Sequence, residues 1–148
     1  MKFLAALAAA FASLFVLAQA AEKSPVYLAP GSDVALSGYD AVSFFEGDAQ
    51  MGSAEFSTGY NGATWYFTSA DTRDRFSANP DKYAPQYGGY CAWAVSEGYL
   101  AKGDPRFAKV VAGKLYLNFN RNIQAKWEQD IPGHIARGDA NWPGVLED

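Results

Sequence analysis

The pattern of apolar and polar residues predicts a β-hairpin near the middle of the chain. Residues 55–60 and 63–68 both have strand composition, and Asn61-Gly62 separates them. Asn-Gly between two such runs indicates a type I′ turn, because both central residues of that turn have positive φ. Three aromatic residues are expected to share the core face of this hairpin or to flank it, namely Phe56, Trp65 and Phe67.

A second hairpin is predicted around Ala112-Gly113, between residues 107–111 and 114–119. Apolar and polar side chains alternate in the later run, which is typical of a strand buried on one face. We expect the two hairpins to join in one sheet. The sequence predicts no internal repeat, because the two hairpins share no convincing pattern of residues.

Helical signals follow each hairpin. Ser69 is expected to cap a short helix that ends before Pro80. Over residues 122–136 apolar side chains recur every four positions, which is the spacing of one helical face, and Pro132 predicts a break near Asp130. The fold class is therefore α+β, a single small domain of antiparallel β-hairpins packed with a short central helix and a C-terminal helical segment.

Residues 1–20 have the pattern of a cleavable secretory signal peptide. Lys2 precedes the apolar run 3–18, which leads to the small-x-small site Ala18–Ala20. The alternative is a membrane anchor, but the run is shorter than the roughly 20 residues that a spanning helix needs. We expect a mature domain over residues 21–148 that is periplasmic or secreted and keeps no stable membrane anchor.

The composition limits the chemistry that this chain can support. It has one cysteine and one histidine, Cys91 and His134, so no intrachain disulfide can form. The net charge is −4 and the charges are scattered, so nucleic acid is not an expected partner. No catalytic triad or phosphate loop is recognisable. The nine Tyr, ten Phe and four Trp indicate an aromatic-rich core.

Two segments closely resemble the YHS domain, Thr64–Ser69 and Arg75–Tyr83. A longer resemblance, to exported YHS-domain proteins of Gram-negative bacteria, spans nearly the whole mature chain. It rests on Gly38–Val42, Tyr87–Ala92, Lys114–Asn118 and Asn141–Pro143. The resemblance implies an α+β fold.

The wider YHS family is associated with heavy-metal handling, and its metal-binding members carry cysteines at set positions. Two of these positions correspond here to Thr68 and Thr72, and an earlier pair falls near residues 38–41, which contain no cysteine. Structural zinc is held by four cysteine or histidine ligands. The resemblance therefore implies the fold, whereas the thiolate-rich site of those relatives is absent.

Cys91 is the strongest single candidate for chemistry. At the N-terminus of a helix its pKa would be lowered, which would favour the thiolate. The alternative is a buried cysteine that acts as a small hydrophobe. His134 could join Cys91 in a two-ligand copper(I) site, since thiolate suits that ion. The alternative for His134 is a solvated surface residue.

Four further residues are expected to line a ligand pocket with Cys91, namely Tyr39, Asp40, Tyr87 and Tyr90. Such a pocket would be apolar with a few polar groups, as small-ligand sites usually are. The alternative is that the tyrosines are core residues with satisfied hydroxyls and that Asp40 caps a turn.

Three functions are compatible with these residues. The first is a non-enzymatic periplasmic binding or accessory protein, whose ligand is a metal ion, copper or another soft metal, held by Cys91. The second is an interaction or stress-response module that contacts a periplasmic partner protein through an aromatic surface. The third, ranked last, is a thiol-dependent enzyme with Cys91 as nucleophile.

Overall fold

A computed structural model describes residues 23–148, so the signal peptide expected at residues 1–20 lies outside the described part. The strands are β1 Ser53–Tyr60, β2 Ala63–Phe67, β3 Asp104–Val111 and β4 Lys114–Asn118. The α-helices are α1 Ala70–Ala78, α2 Pro80–Tyr83, α3 Ala92–Ser96, α4 Arg121–Glu128 and α5 Ile131–Asn141. Short 3-10 helices cover Ala35–Gly38, Ala41–Phe45, Gln86–Gly89 and Gly144–Glu147. Within residues 23–148, no helix has the length and apolar character needed to cross a membrane.

The predicted α+β domain and both of its hairpins are confirmed. β1 pairs with β2 and β3 with β4, both antiparallel, and the turn residues Asn61, Gly62, Ala112 and Gly113 all have positive φ. The expectation of one joint sheet is wrong, because the hairpins form two separate two-stranded sheets. Side-chain packing rather than strand pairing joins them.

Strand β4 lies between the two hydrophobic clusters of the domain. Leu115 and Leu117 pack into the cluster that contains Trp65 and Phe67, whereas Tyr116 packs into the cluster that contains Trp127. All of these side chains are buried. The alternating pattern had indicated a strand buried on one face, but β4 is buried on both because each face meets a different cluster.

The helix boundaries follow the local signals. Ser69 Oγ accepts from Thr72 N at 3.2 Å and caps α1. The C-terminal segment breaks between α4 and α5, as Pro132 indicated, and Asp130 Oδ1 accepts from Gly133 N at 3.1 Å to cap α5. Both predictions are confirmed.

The domain consists of two structural repeats, residues 34–83 and 85–134. β1, β2 and α1 begin at Ser53, Ala63 and Ala70, and each recurs 51 residues later as β3, β4 and α4. The 3-10 helix Ala35–Gly38 also recurs 51 residues later, as Gln86–Gly89. We call these segments the first and the second repeat.

The match between the repeats extends to their irregularities. The β1–β2 register shifts between Ser53 and Ser57, and the β3–β4 register shifts between Asp104 and Ala108, which are the equivalent residues. Such agreement without any insertion shows that one backbone path is used twice.

The expectation of no internal repeat is therefore wrong. Only eight of the 50 equivalent positions carry the same residue, and most of these lie in turns or at glycines. The identical residues of the first repeat are Gly38, Tyr39, Ala41, Glu46, Gly47, Gly52, Phe56 and Gly62. Elsewhere different residues adopt the same conformation: Leu36 and its equivalent Tyr87 have φ of 55° and 58°.

Candidate functional site

Asp40 is fully buried in the first repeat, and its carboxylate accepts hydrogen bonds from three parts of it. Its Oδ1 accepts from Val42 N at 2.9 Å and from Ser43 N at 3.3 Å. Its Oδ2 accepts from Thr68 N and Thr68 Oγ1, both at 3.0 Å, and from Thr72 Oγ1 at 2.7 Å. The carboxylate thus joins the 3-10 helix after Asp40 to the end of β2 and to α1, and it caps a turn as the alternative interpretation expected.

The positions that the YHS resemblance marks for metal ligands converge at this carboxylate. Thr68 and Thr72 both bond to Asp40, which lies within residues 38–41. Their donor atoms are hydroxyls and a carboxylate, not thiolates, and the carboxylate already accepts five hydrogen bonds. Within the described range no group of three or more His, Cys, Asp or Glu residues could hold a metal ion. The residues present do not fit a thiolate-rich metal site.

The second repeat places Cys91 where the first has Asp40. The equivalents of Thr68 and Thr72 are Phe119 and Ile123, which cannot donate from their side chains. Asn118, fully buried at the end of β4, accepts instead from Trp93 N at 3.1 Å and from the Cys91 thiol at 3.6 Å. The polar network of the first repeat is therefore replaced by a mainly apolar environment.

This replacement leaves a cavity of about 320 Å³ that we call the thiol pocket. Its lining consists of Cys91, Trp93, Ala94, Tyr99, Ala101, Phe119, Asn120 and Ile123. In the first repeat, seven of these eight positions hold polar residues: Asp40, Ser43, Asp48, Gln50, Thr68, Ser69 and Thr72. In the second repeat six of the seven hold Cys, Ala, Tyr, Phe or Ile, and only the helix-capping position, Asn120, stays polar. Mainly apolar side chains thus line the thiol pocket at the place where the first repeat has a hydrogen-bonded network.

Exposed aromatic side chains surround the thiol pocket. Tyr99 is 48% exposed and Phe119 is 40% exposed, although both are large and apolar. Tyr99 packs edge-on against Trp93, with ring centroids 6.2 Å apart. The ammonium groups of Lys102 and Lys126 lie 5.4 Å and 5.5 Å from the Phe119 and Trp93 rings. Exposed apolar groups around a cavity are typical of a binding site.

The Cys91 sulfur lies in the protein interior, with only 1% of the residue exposed. Cys91 is the N-cap of α3, which meets the condition on which a lowered pKa depended. Burial nevertheless raises the pKa of its thiol, and hydrogen bonds from the backbone oppose this only in part. The expectation that a helix N-terminus would lower this pKa is wrong, because α3 has only five residues and desolvation dominates. Cys91 is therefore a neutral thiol at neutral pH.

The reaction of Cys91 with 5,5′-dithiobis(2-nitrobenzoate) is expected to be slow at neutral pH. Its rate should keep rising beyond the pH at which an ordinary thiol levels off, because the folded protein disfavours the thiolate. The measurement is the rate constant against pH for the native protein. The same chain in urea serves as the control and should show the ordinary midpoint, near pH 8.5. A native midpoint at or below that of the control would contradict the assigned burial.

His134 is buried between α3 and α5, so its interpretation as a solvated surface residue is wrong. Its Nδ1 lies 2.7 Å from Ser96 Oγ, 3.1 Å from Arg137 Nη2 and 4.0 Å from Glu97 Oε1. Among residues 23–148 no hydrogen bond links it to Cys91. The packing of α3 against α5 explains why His134 is buried, and Ser96 provides a hydrogen-bond partner for its Nδ1.

The three predicted tyrosines do not share one pocket with Cys91, although Tyr87 and Tyr90 both pack on Trp142. Tyr39 lines a groove beside Arg106, while Tyr87 lines a cleft on another side of the domain. The Tyr90 hydroxyl donates to Ser24 O at 2.8 Å, which satisfies it in the core. The structure therefore does not bring Tyr39, Tyr87 and Cys91 into one pocket.

Four residues of the Cys91 environment are not predicted from the sequence, namely Tyr99, Asn118, Phe119 and Ile123. Alignment of Gly38–Ala41 with Gly89–Ala92 would have supplied the signal, since it pairs Asp40 with Cys91 and fixes the 51-residue spacing.

No protein family, curated protein or solved structure matches this chain. The likeness to YHS-domain proteins therefore remains a resemblance of motifs.

Proposed function

We propose that this chain is an exported, non-enzymatic binding protein whose thiol pocket takes a small apolar ligand. The single observation that carries this proposal is the hollow, apolar replacement of the Asp40 network at the equivalent place in the second repeat. Export is supported by the signal-peptide pattern of residues 1–20 and by the resemblance to exported YHS-domain proteins.

The chemistry of the thiol pocket favours an uncharged ligand. A volume of about 320 Å³ suits a small molecule, and apart from the thiol and Asn120 the lining is formed by carbon-rich side chains. Soft metals bind thiolate, but burial keeps Cys91 protonated and no second thiol exists in the chain. An apolar molecule that packs on the aromatic rings and contacts the thiol fits this environment better than copper(I).

Thiol catalysis has less support than binding. A nucleophilic cysteine needs a base within hydrogen-bond reach or a lowered pKa. The partner of the Cys91 thiol is the Asn118 amide oxygen, which is not a base that can take the proton. The pKa shift also has the wrong direction for a nucleophile.

N-phenyl-1-naphthylamine, a neutral fluorescent probe, is expected to bind the thiol pocket. Ala101→Leu should weaken this binding at least about tenfold, or about 1.4 kcal/mol, because the added carbons fill the cavity. Ala54→Leu adds the same group to an exposed position of β1 and should leave the affinity unchanged. Fluorescence titration measures both, and circular dichroism checks that each variant is folded.

Two results would overturn the apolar-ligand proposal. The first is equal probe binding by wild-type protein and Ala101→Leu. The second is tight, stoichiometric copper(I) binding under anaerobic conditions that is lost in Cys91→Ser, which would favour the metal-binding function instead.

The exposed aromatic side chains at the thiol pocket favour a second candidate occupant. This occupant is an apolar side chain of a periplasmic partner protein. Tyr99 and Phe119 would then form part of a protein interface around the pocket. Pull-down from a periplasmic extract, with wild-type protein and Ala101→Leu immobilised side by side, tests this. A partner retained by the wild type alone would favour the interaction function over a free small molecule.

A further inference from the structure

A second and larger cavity lies beside both repeats and shares no lining residue with the thiol pocket. Its volume is about 610 Å³. Tyr60 and Asp81 of the first repeat, Tyr87 of the second, and Asp139 and Trp142 of the C-terminal segment all line it. We call it the inter-repeat cleft.

Two tyrosine–aspartate pairs are built into the inter-repeat cleft. Tyr60 Oη donates to Asp81 Oδ1 at 2.7 Å, and Tyr87 Oη donates to Asp139 Oδ1 at 2.9 Å. The hydrogen bond that Tyr60 donates to Asp81 raises the pKa of Tyr60. Burial, followed by the hydrogen bond donated to Asp139, raises the pKa of Tyr87. Both phenols therefore remain hydrogen-bond donors, and each orients the carboxylate of its aspartate through Oδ1. Among residues 23–148 no hydrogen bond is donated to Oδ2 of either aspartate, so these oxygens can accept from a ligand.

The cleft carries uncompensated negative charge. Neither Asp81 nor Asp139 has a Lys, Arg or His nitrogen within 4.0 Å among the described residues. Lys114 also lines the cleft but forms no ion pair with either carboxylate. Two aspartates against one lysine leave a net attraction for a cation.

Aromatic residues line the same cleft as these carboxylates, namely Tyr60, Trp65, Tyr87 and Trp142. The ring centroids of Tyr87 and Trp142 are 6.1 Å apart, as are those of Tyr60 and Trp65. The backbone of α5 packs directly on the Tyr87 phenol, because a Cβ added at Gly138 would lie 2.6 Å from its oxygen. Tyr87 is thus held in place before any ligand arrives.

Carboxylates together with aromatic rings are the groups that recognise organic cations. A bare metal ion fits less well, because the described residues contain no group of three or more acidic, histidine or cysteine side chains that could hold one. The cavity also has room for far more than one ion.

We propose that the inter-repeat cleft binds a small organic cation that carries an ammonium group. Asp81 and Asp139 act as its counter-ions, and Tyr60, Tyr87 and Trp142 supply aromatic walls. This site is independent of the apolar-ligand function proposed for the thiol pocket.

Isothermal titration with choline tests the cleft, with 3,3-dimethylbutan-1-ol as the uncharged molecule of the same shape. Choline is expected to bind at least about tenfold more tightly than the alcohol.

Asp81→Asn and Asp139→Asn should each weaken choline binding about tenfold, because each removes one counter-ion and keeps the side-chain shape. Glu55→Gln removes one negative charge from an exposed position of β1 outside the cleft, and its affinity should stay within about twofold of wild type.

Thermal melting confirms that the aspartate variants are folded, and Tyr87→Phe provides a variant that keeps the ring but releases Asp139. It should weaken choline binding without abolishing it. Three outcomes would overturn the proposal: equal affinity for choline and the alcohol, equal loss in Glu55→Gln and the cleft variants, or no binding of choline at about 10 mM. Probe binding in the thiol pocket, measured on the same samples, separates failure of this site from failure of the proposed function.

Discussion

Asp40→Ala is expected to lower the free energy of unfolding by about 4 kcal/mol. The carboxylate is fully buried and accepts five hydrogen bonds, three of them from Thr68 and Thr72 across the fold. Alanine removes the acceptor of the Thr68 N–H and leaves the buried Thr72 hydroxyl with only Ser69 O, at 3.4 Å. An unsatisfied buried donor costs about 1–3 kcal/mol. Urea denaturation followed by circular dichroism measures the change.

Two companion variants give this experiment its controls. Asp40→Asn keeps the side-chain volume but turns one acceptor oxygen into a donor amide, so it should also be clearly destabilising. Glu55→Ala changes an exposed acidic residue of β1 and should cost less than about 0.5 kcal/mol. A loss below about 1 kcal/mol for Asp40→Ala would show that the network contributes little to stability.

The elements that could be predicted are those whose cause lies within a few residues. Asn61-Gly62 and Ala112-Gly113 specify their turns through positive φ, and Ser69 caps its helix through its own hydroxyl. Pro132 breaks the C-terminal helical segment because it cannot continue the helix of the preceding turn. These signals do not depend on what the rest of the chain does.

The arrangement of the hairpins could not be predicted in the same way. Whether β4 is buried on one face or on two depends on both hydrophobic clusters, and these are formed by residues from the whole domain. The repeat was also hidden, because Leu36 and Tyr87 reach the same left-handed conformation with unrelated side chains. Backbone conformation is preserved here where residue identity is not.

The candidate site shows the same limit. The sequence allows Cys91 to begin a helix but does not require it, and the direction of its pKa shift depends on burial. Much of that environment is built by Asn118, Phe119 and Ile123, which follow 27 or more residues later. The burial of His134 likewise depends on Ser96, 38 residues earlier in the chain.

The residue differences between the repeats at the thiol pocket depend on one another. A cysteine in place of Asp40 would leave the donors of Thr68 and Thr72 aimed at a sulfur. With Phe119 and Ile123 at those positions the side-chain donors disappear together with the acceptor. A buried hydrogen-bonded network therefore stabilises the first repeat, whereas the equivalent place in the second repeat is the mainly apolar thiol pocket.

Gly103→Ala is expected to destabilise the domain by more than about 3 kcal/mol. A Cβ at this position would lie 2.0 Å from Gly89 O and 2.8 Å from Leu117 Cβ, and a backbone oxygen cannot move aside as a flexible side chain can. Gly144→Ala is the matched control, because nothing lies within 4 Å of its added Cβ. Thermal and urea unfolding of the two variants measure the difference.

Gly52 is the equivalent of Gly103 in the first repeat, so the same prediction can be made for both repeats. A Cβ at Gly52 would lie 2.5 Å from the backbone carbon of Tyr66, so Gly52→Ala should be about as costly as Gly103→Ala. Each glycine follows a residue that bridges to a tyrosine, Met51 to Tyr39 and Lys102 to Tyr90. Equal losses at both positions would show that close passage of the backbone at this crossing is a requirement of the repeat. A mild effect at either one would mean that the two crossings are packed differently and that the repeat is less strict than its backbone suggests.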